Sequence, residues 1–251
     1  MPRFFHAFRM RLLRGNRLTR YLVYALGEIV LVVIGILIAL EVNNRNSEAK
    51  IRRSETQYLN EIAKSLRSDL KDVHFNIRFN EDRLRSSHIV LEFLNSEAAY
   101  SDTLDRHFGS LLYTTRSVVN YSAFDALTSQ GIEIIANDSL RRLITNLYSF
   151  HYHNVIDFEK QDDHALQYHV VMPGVLEHVQ VRPVPGGETA GLQLGRPIDL
   201  STIRQGNALQ NALTMNIDLR IYMLSNYRQL EQRILECQQA IENELEKRSG
   251  S

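Results

Sequence analysis

The chain has 251 residues, of which 44% are hydrophobic, and its 29 basic and 29 acidic side chains give a formal net charge of zero. A neutral chain has no global electrostatic reason to bind nucleic acid, so we expect no nucleic-acid partner. Cys237 is the only cysteine, which excludes an intrachain disulfide framework and a cysteine-based zinc site. Glycine and proline are scarce outside one stretch, which favours helices.

Residues 1–20 are predicted to form a basic, amphipathic leader on the cytoplasmic side of a membrane. The leader contains no acidic residue, and the arginines nearest to the apolar run that follows are Arg9, Arg11, Arg14, Arg17 and Arg20. Cationic segments beside a membrane span are retained in the cytoplasm, so these arginines are predicted to determine the topology. Interleaved aromatic and leucine side chains also allow the leader to lie on the anionic inner leaflet, although a topology signal alone is the simpler interpretation.

An apolar run of about 20 residues, YLVYALGEIVLVVIGILIAL, extends from Tyr21 to Leu40. At 1.5 Å per residue, such a helix covers the ~30 Å hydrocarbon core of a bilayer. A cleaved signal peptide would have a shorter apolar core followed by a small-x-small site, whereas this run is followed by Glu41-Val42-Asn43-Asn44. The sequence therefore predicts an uncleaved transmembrane helix over residues 21–42, with residues 43–251 on the far side of the membrane.

Glu28 lies inside this apolar run, where an ionised carboxylate costs roughly 2.5 kcal/mol or more at the bilayer centre. At 100° per residue, Glu28 shares a helix face with Gly35 and Ala39, a small-xxx-small pair that lets another helix approach closely. One hypothesis is that the anchor self-associates or docks a partner helix through this face. The alternative is that Glu28 is protonated or reaches the interface, and that glycine is simply common in such helices.

The remaining residues are predicted to form an all-α extracytoplasmic domain. Apolar residues at spacings of three, four and seven predict long helices over about 51–94, 138–171 and 201–248, and shorter helices near 102–112 and 122–131. Prolines and glycines concentrated between Arg182 and Gly195 predict a flexible loop over about 179–199. The expected architecture is one N-terminal transmembrane helix leading into an extended helical bundle with long antiparallel helices.

Two stretches carry a resemblance to a known family, namely YALGEIVLVVIGILIALEVNN from Tyr24 and YSAFDALTSQGIEIIANDSLRRLI from Tyr121. They are similar to an uncharacterised family of single-pass bacterial membrane proteins, catalogued as a domain of unknown function. The chain departs from that family at Arg45, where the family tends to have tryptophan, an interfacial anchor. The resemblance implies a bacterial cell-envelope setting and supports one anchor plus a helical domain, but it carries no activity. Together with the arginine-rich leader, it predicts a protein of the bacterial inner membrane with a periplasmic C-terminal domain.

The clearest concentration of metal-binding residue types consists of histidines between His151 and His178, close to several aspartates. On a helix, only His153 and Asp157 form an i, i+4 pair, while His153 and His164 lie about 16 Å apart. We therefore predict a solvated polar face with no metal and no cofactor. The sequence has no HExxH motif, glycine-rich phosphate loop, GxSxG elbow or cysteine nucleophile, so we expect no enzymatic activity.

The leading functional hypothesis is a non-enzymatic, membrane-anchored cell-envelope protein that presents a helical domain for protein interaction or assembly. Its expected partners are the lipid bilayer and, through the anchor helix, a second copy or another membrane protein. One alternative is an extracytoplasmic ligand-sensing domain that acts through a partner, because about twenty cytoplasmic residues provide no output. Another alternative is a proton- or ion-linked accessory subunit that uses Glu28.

Overall fold

The computed structural model describes residues 17–185 and 193–249. The chain divides into two compact units, one up to Glu55 and one from Thr56 onward. Helix α1 (Arg17–Leu94) is assigned without a break and contributes residues to both units. In the first unit, every side chain between Tyr21 and Leu40 is exposed except that of Ala25, which is partly buried.

The second unit is a helical bundle, as predicted, with one small hairpin. Its elements after α1 are, in chain order, α2 (Leu104–Ser110), α3 (Ser122–Gln130), a 3-10 turn (Ile132–Ile134), α4 (residues 138–178), β1 (Val179–Pro183), β2 (Gln193–Pro197), α5 (Leu200–Gln205) and α6 (Asn207–Ser249). Residues 113–121 have no regular structure and run between α1 and α4; we call them the crossing segment. Helices α1, α4 and α6 enclose the core.

Contacts between side chains fix the directions of the long helices. Along α1, His74 bonds Glu231 at 2.6 Å and Asn80 accepts a bond from Arg220 at 2.5 Å, so the partner position on α6 falls as the position on α1 rises. Helices α1 and α6 are therefore antiparallel. Helix α4 is parallel to α1. Tyr152 of α4 bonds Asp69 of α1, and Gln167, further along α4, bonds Arg83, further along α1.

Two predicted helix boundaries of α3 and α4 are confirmed by their local geometry. Helix α3 ends at Gly131, whose φ of 105° lies in the region that a side chain disfavours. Helix α4 begins after Asn137, whose side-chain oxygen accepts bonds from the backbone N–H groups of Ser139 and Leu140 at 3.1 and 3.2 Å. These bonds satisfy N–H groups that have no partner within the first turn of a helix.

Helix α4 continues through Pro173 to His178, so the predicted end near residue 171 is wrong. Three π turns interrupt its α geometry, at Leu147–His151, Glu159–Asp163 and Gln167–Val171. In a π turn the hydrogen bonds reach five residues along the chain rather than four, so each turn takes up extra residues. The last π turn ends just before Met172 and Pro173, where the missing N–H of proline would otherwise break the α-helical ladder.

The flexible loop predicted over residues 179–199 is wrong at both of its ends. Strand β1 pairs with β2 in an antiparallel register that places Val179 opposite Pro197 and Val181 opposite Gly195. The hairpin packs on α2 at its glycines, because a Cβ on Gly195 would lie 3.0 Å from the backbone nitrogen of Gly109. Residues 186–192, between the strands, lie outside the described residues.

Inward positions of α1 and α6 follow a strict alternation of three and four residues, which is typical of left-handed helix packing. On α1, the buried positions that follow this alternation are Leu59, Ile62, Leu66, Asp69, Val73, Asn76, Asn80, Arg83, Ser87, Val90 and Leu94. On α6, they are Leu209, Leu213, Asn216, Arg220, Met223, Tyr227, Leu230, Ile234, Cys237 and Ile241. In both helices, several of these inward residues near the middle of the series are polar.

Candidate functional site

The anchor face predicted from the sequence lies in the first unit. Glu28, Gly35 and Ala39 are all exposed. A Cβ built on Gly35 or on Gly27 meets no other atom within 4 Å, so this surface is open to another helix. Nothing in a single chain tests whether a helix docks there, and the packing role of this face stays a prediction.

The arginines predicted to determine topology lie at or before the start of α1. Arg9, Arg11 and Arg14 are outside the described residues, while Arg17 and Arg20 belong to the first turns of the helix. Over the described ranges, α1 is the one helix that is long and apolar enough to cross a membrane. The direction of crossing remains a prediction.

The bundle interior contains a buried polar section between two hydrophobic clusters. One cluster includes Val73, Val155 and Met223, and the other includes Val90, Val171 and Leu213. Between them the inward residues of all three long helices are polar, each at most 2% exposed. We call this set the polar section: Asn76, Asn80, Arg83, Ser87, Glu159, Asp163, Gln167, Asn216 and Arg220. It extends for about 16 Å along α1.

Glu159 of the polar section, together with the neighbouring Asp69 and Asp72 on α1, binds the backbone of the crossing segment. A segment without regular structure has no ladder partners, so its N–H groups need other acceptors where they are shielded from water. Asp72 accepts from the N–H of Val118 at 2.9 Å, and Asp69 accepts from that of Asn120 at 3.0 Å. The carboxylates therefore replace the missing strand partner.

Glu159, which lies on α4, binds the middle of the crossing segment. Its carboxylate accepts the backbone N–H of Ser117 at 2.9 and 3.0 Å and the hydroxyl of Ser117 at 2.7 Å. From α6, the hydroxyl of Tyr227 donates to Oε1 of Glu159 at 2.6 Å. Burial raises the pKa of Tyr227 above its usual range, and the negative charge of Glu159 raises it further. The phenol therefore remains a donor.

Arg220 forms the ionic centre of the polar section. Its guanidinium is ion-paired with Asp163, which also accepts the hydroxyl of Thr114. Its Nη1 donates to Oδ1 of Asn80 at 2.5 Å. Burial lowers the pKa of Arg220 to about 10, which still leaves it charged at neutral pH. This pair thus links α4 and α6, and Asn80 extends the link to α1.

Arg83 is buried without a carboxylate partner among the described residues. Its Nη2 donates to the backbone carbonyl of Leu111 at 2.8 Å and to the side chain of Gln167, and its Nη1 lies 3.5 Å from the carbonyl of Ser110. These carbonyls belong to Ser110, the last residue of the short helix α2, and to Leu111 after it, where a helix end leaves acceptors free. Burial lowers the pKa of Arg83 well below its usual range, and the positive charge of Arg220 lowers it further.

Asp69 lies outside the polar section, beyond Val73 on α1, toward the larger hydrophobic cluster. The hydroxyl of Tyr152 donates to its Oδ2 at 2.8 Å, and the N–H of Asn120 donates to Oδ1 at 3.0 Å. Burial raises the pKa of Asp69 to about 6, despite the opposing effect of these bonds. This carboxyl therefore titrates between mildly acidic and neutral pH.

The histidines and the cysteine singled out in the sequence do not form a reactive centre in the described structure. His153 bonds the carbonyl of Tyr148 at 2.9 Å, and His164 lies 3.4 Å from the carbonyl of Thr115. Over residues 17–185 and 193–249, no group of three His, Cys, Asp or Glu side chains is placed to hold a metal ion. Burial raises the pKa of Cys237 to about 12, so its thiolate is scarcely populated at neutral pH.

The periodicity of the apolar residues does not reveal the polar section. The signal was present on α1, where Asn76, Asn80, Arg83 and Ser87 continue the three-four spacing between Val73 and Val90. On α4, the inward residues from Val155 to Val175 recur at every fourth position, a spacing that drifts around a regular α-helix by about 40° per step. Only the π turns keep these positions inward, and the sequence gives no indication of them.

The fold and this interior define a class of protein: a helical bundle with a buried polar section, in a chain that also carries one helix apolar enough to span a membrane. The chain belongs to the family of unknown function DUF6090, whose sequence model matches residues 28–171, more than half of its length. The matched region includes the crossing segment and ends before α6. Searches of curated proteins and of solved structures found no match.

Proposed function

We propose that the protein is a non-enzymatic, membrane-anchored component of the bacterial cell envelope, and that its helical domain binds or assembles other proteins. The observation that carries this proposal is the exposed apolar run from Tyr21 to Leu40, because 20 residues of uncovered apolar surface are unfavourable in water and fit a bilayer. The N-terminus is cytoplasmic and the domain periplasmic in this proposal, as the arginine-rich leader favours.

The interior of the domain supports a binding role over catalysis. The buried acids Glu159 and Asp163 are bonded to the crossing segment and to partner side chains, so they are used to hold the fold. Catalytic acids and bases need a concave site in which they can reach a substrate. In the polar section the same residue types are enclosed by helices instead.

Two of the grooves on the described surface of the domain are places where a partner can be sought. One has a volume of about 610 Å³ and is lined on α1 by Lys64, Arg67 and Lys71. The other has a volume of about 650 Å³ and is lined on α4 by Arg141, Arg142 and Asn146. Both are basic, which favours a partner with acidic side chains.

Topology is the first test of the proposal. An alkaline phosphatase and a fluorescent protein are fused in turn after Ser251 of the full chain, since the phosphatase is active only in the periplasm and the fluorescent protein only in the cytoplasm. We expect phosphatase activity and no fluorescence. Fluorescence without phosphatase activity would overturn the orientation and the periplasmic role with it.

Crosslinking in native membranes tests the binding role. A photo-crosslinking amino acid replaces Lys71 in one groove or Asn146 in the other, and a matched control places it at the exposed Lys50. We expect a discrete crosslinked species from at least one groove that is absent from the control. Crosslinks to lipid alone from every position would contradict an interaction domain.

A further inference from the structure

Several buried polar atoms near the centre of the bundle have no hydrogen-bond partner among the described residues. They are Nε of Arg83, Oγ of Ser87, both amide atoms of Asn216 and Nε of Arg220. Each of these four side chains is at most 1% exposed. Buried polar groups in native proteins are almost always hydrogen-bonded, to protein, to water or to an ion, so this group requires a partner.

Helix register brings the four side chains within about two turns of one another along the bundle. The bond from Arg220 to Asn80 aligns α6 with α1, and the two helices are antiparallel. One turn onward along α1 leads to Arg83 and a second turn leads to Ser87, while one turn back along α6 leads to Asn216. All four are inward positions of the three-four pattern, so they face the same interior space.

The unsatisfied atoms are mostly donors, and their surroundings carry a positive charge. Apart from Asp163 Oδ1 and Arg220 Nη2, which form the ion pair, two guanidinium N–H groups, one hydroxyl and one amide NH₂ stand against a single amide oxygen as acceptor. Asp163 neutralises Arg220 and already accepts from Thr114. Arg83 is bonded only to carbonyl oxygens and to Gln167. Among Arg83, Asp163 and Arg220 the excess is therefore one positive charge, while Glu159, one turn before Asp163 on α4, is bonded to Ser117 and Tyr227.

The geometry points to a binding site for one small monovalent anion, of the size and charge of chloride, between Arg83, Ser87, Asn216 and Arg220. A single negative charge matches the excess of one guanidinium, whereas a divalent oxyanion would overcompensate it. Enclosure by three helices limits the ligand to a few atoms, since protein cores leave few voids larger than a water molecule. The anion would also offset the repulsion between the two guanidinium groups.

Anion-dependent stability of the full chain tests this site. The protein is purified in detergent, and its unfolding is followed by circular dichroism at 222 nm, because it contains no tryptophan. Sodium chloride replaces sodium gluconate at constant ionic strength; gluconate is too large to enter. We expect a saturable rise in Tm, of about 3–6 °C at a chloride concentration ten times the Kd. Equal Tm values in both salts would mean that water alone satisfies these atoms, and would overturn the proposal.

Matched variants locate the anion. Ser87→Ala removes one donor, and Asn216→Ser replaces the amide donor with a shorter hydroxyl. We expect the dependence of Tm on chloride to be at least tenfold weaker in each variant. Ser86→Ala is the control, since it makes the same change one residue away at a hydroxyl that is bonded to His107 at 3.0 Å. Excess broadening of the ³⁵Cl resonance should be lost in the same two variants. A chloride effect that survives both substitutions would place the anion elsewhere and contradict the site.

Discussion

The hydroxyl of Tyr227 on α6 donates a hydrogen bond of 2.6 Å to the carboxylate of Glu159 on α4, and the same carboxylate holds the backbone of Ser117. Three parts of the chain that are distant in sequence thus depend on one buried group. A hydrogen bond to a charged acceptor contributes more than one between neutral groups. The bond from Tyr227 should therefore be measurable on its own.

Removing this hydroxyl should destabilise the domain, while removing another buried tyrosine hydroxyl should not. Tyr227→Phe is expected to cost about 1.5–3 kcal/mol, the usual contribution of a hydrogen bond to a charged group. Tyr148 is equally buried, but its hydroxyl has no partner in the described structure. Tyr148→Phe is therefore expected to be neutral or slightly stabilising. Urea unfolding of the full chain in detergent measures both, and equal losses would contradict the role of Glu159.

The ion pair between Arg220 and Asp163 should show strong coupling in a double-mutant cycle. Arg220→Met leaves Asp163 buried without its cation, and breaking such a pair costs about 3–5 kcal/mol. Asp163→Leu leaves the arginine unpaired at a similar cost. The double variant removes both charges and is expected to lose much less than the sum of the two single losses. Additive losses in urea unfolding would show that the two side chains do not interact.

Asp69 should make the stability of the domain fall as the pH rises from about 4 to 7. Its pKa is raised from 3.8 to about 6 in the folded protein, so over this range the folded state keeps a proton that the unfolded state has lost. The folded state is therefore favoured below the unfolded pKa, and this advantage disappears as the pH passes the folded pKa. The expected change is on the order of 2 kcal/mol.

Asp69→Asn isolates this contribution from the other titrating groups. The amide oxygen can accept from Asn120, and the amide NH₂ can donate to the hydroxyl of Tyr152, so both contacts have a substitute. The free energy of unfolding of the natural protein minus that of Asp69→Asn should decrease between pH 4 and pH 7. A difference that stays constant over this range would contradict the raised pKa.

Gly109 should be intolerant of a side chain, whereas Gly174 should accept one. A Cβ at Gly109 would collide with the backbone oxygen of Gln193, which belongs to β2 and cannot move independently. At Gly174, within α4, a Cβ would lie 3.7 Å from Leu209, an ordinary contact. We expect Gly109→Ala to cost about 1–3 kcal/mol and Gly174→Ala to stabilise by up to about 1 kcal/mol. The reverse order in thermal unfolding would mean that the hairpin does not pack on α2.

The anchor face should show whether the chain self-associates in membranes. Gly35→Leu is expected to lower association about fivefold or more in a membrane two-hybrid assay, because it fills the surface through which a second helix would approach. Gly27→Leu is the matched control, since Gly27 is equally open but lies about 100° around the helix from Glu28. Glu28→Gln should leave a purely packing role intact. Equal signals from both glycine variants would reject the packing face.

Apolar periodicity was sufficient to predict the helical bundle, because burial of an apolar stripe is what determines a helix in a protein core. The cap at Asn137 and the stop at Gly131 were predictable for a similar reason, since each residue type has one strong local role. The polar section was not predictable in this way. Arg83 and Glu159 are typical of exposed helix faces, and sequence periodicity cannot place the backbone groups of Leu111 and Ser117 that they bind.

The hairpin was missed because its strands have little apolar pattern. Gly195 packs directly against α2, so the close approach of two backbones replaces the side-chain contacts that periodicity detects. Arg182 and Arg196 also pair with Asp105 on α2, and these are contacts between residues far apart in sequence. Local composition therefore indicated a loop where long-range contacts stabilise a pair of strands.

Because helix α4 contains three π turns, the number of its residues is constrained as strictly as the chemistry of its buried side chains. Each turn takes up residues that a regular α-helix would not hold in the same length, and the inward alignment of Glu159, Asp163 and Gln167 depends on them. A deletion of one residue before Glu159 would rotate everything downstream by about 100°. Such a deletion would turn all three side chains away from their partners, so variation among natural relatives should take the form of substitutions in this helix and not of changes in its length.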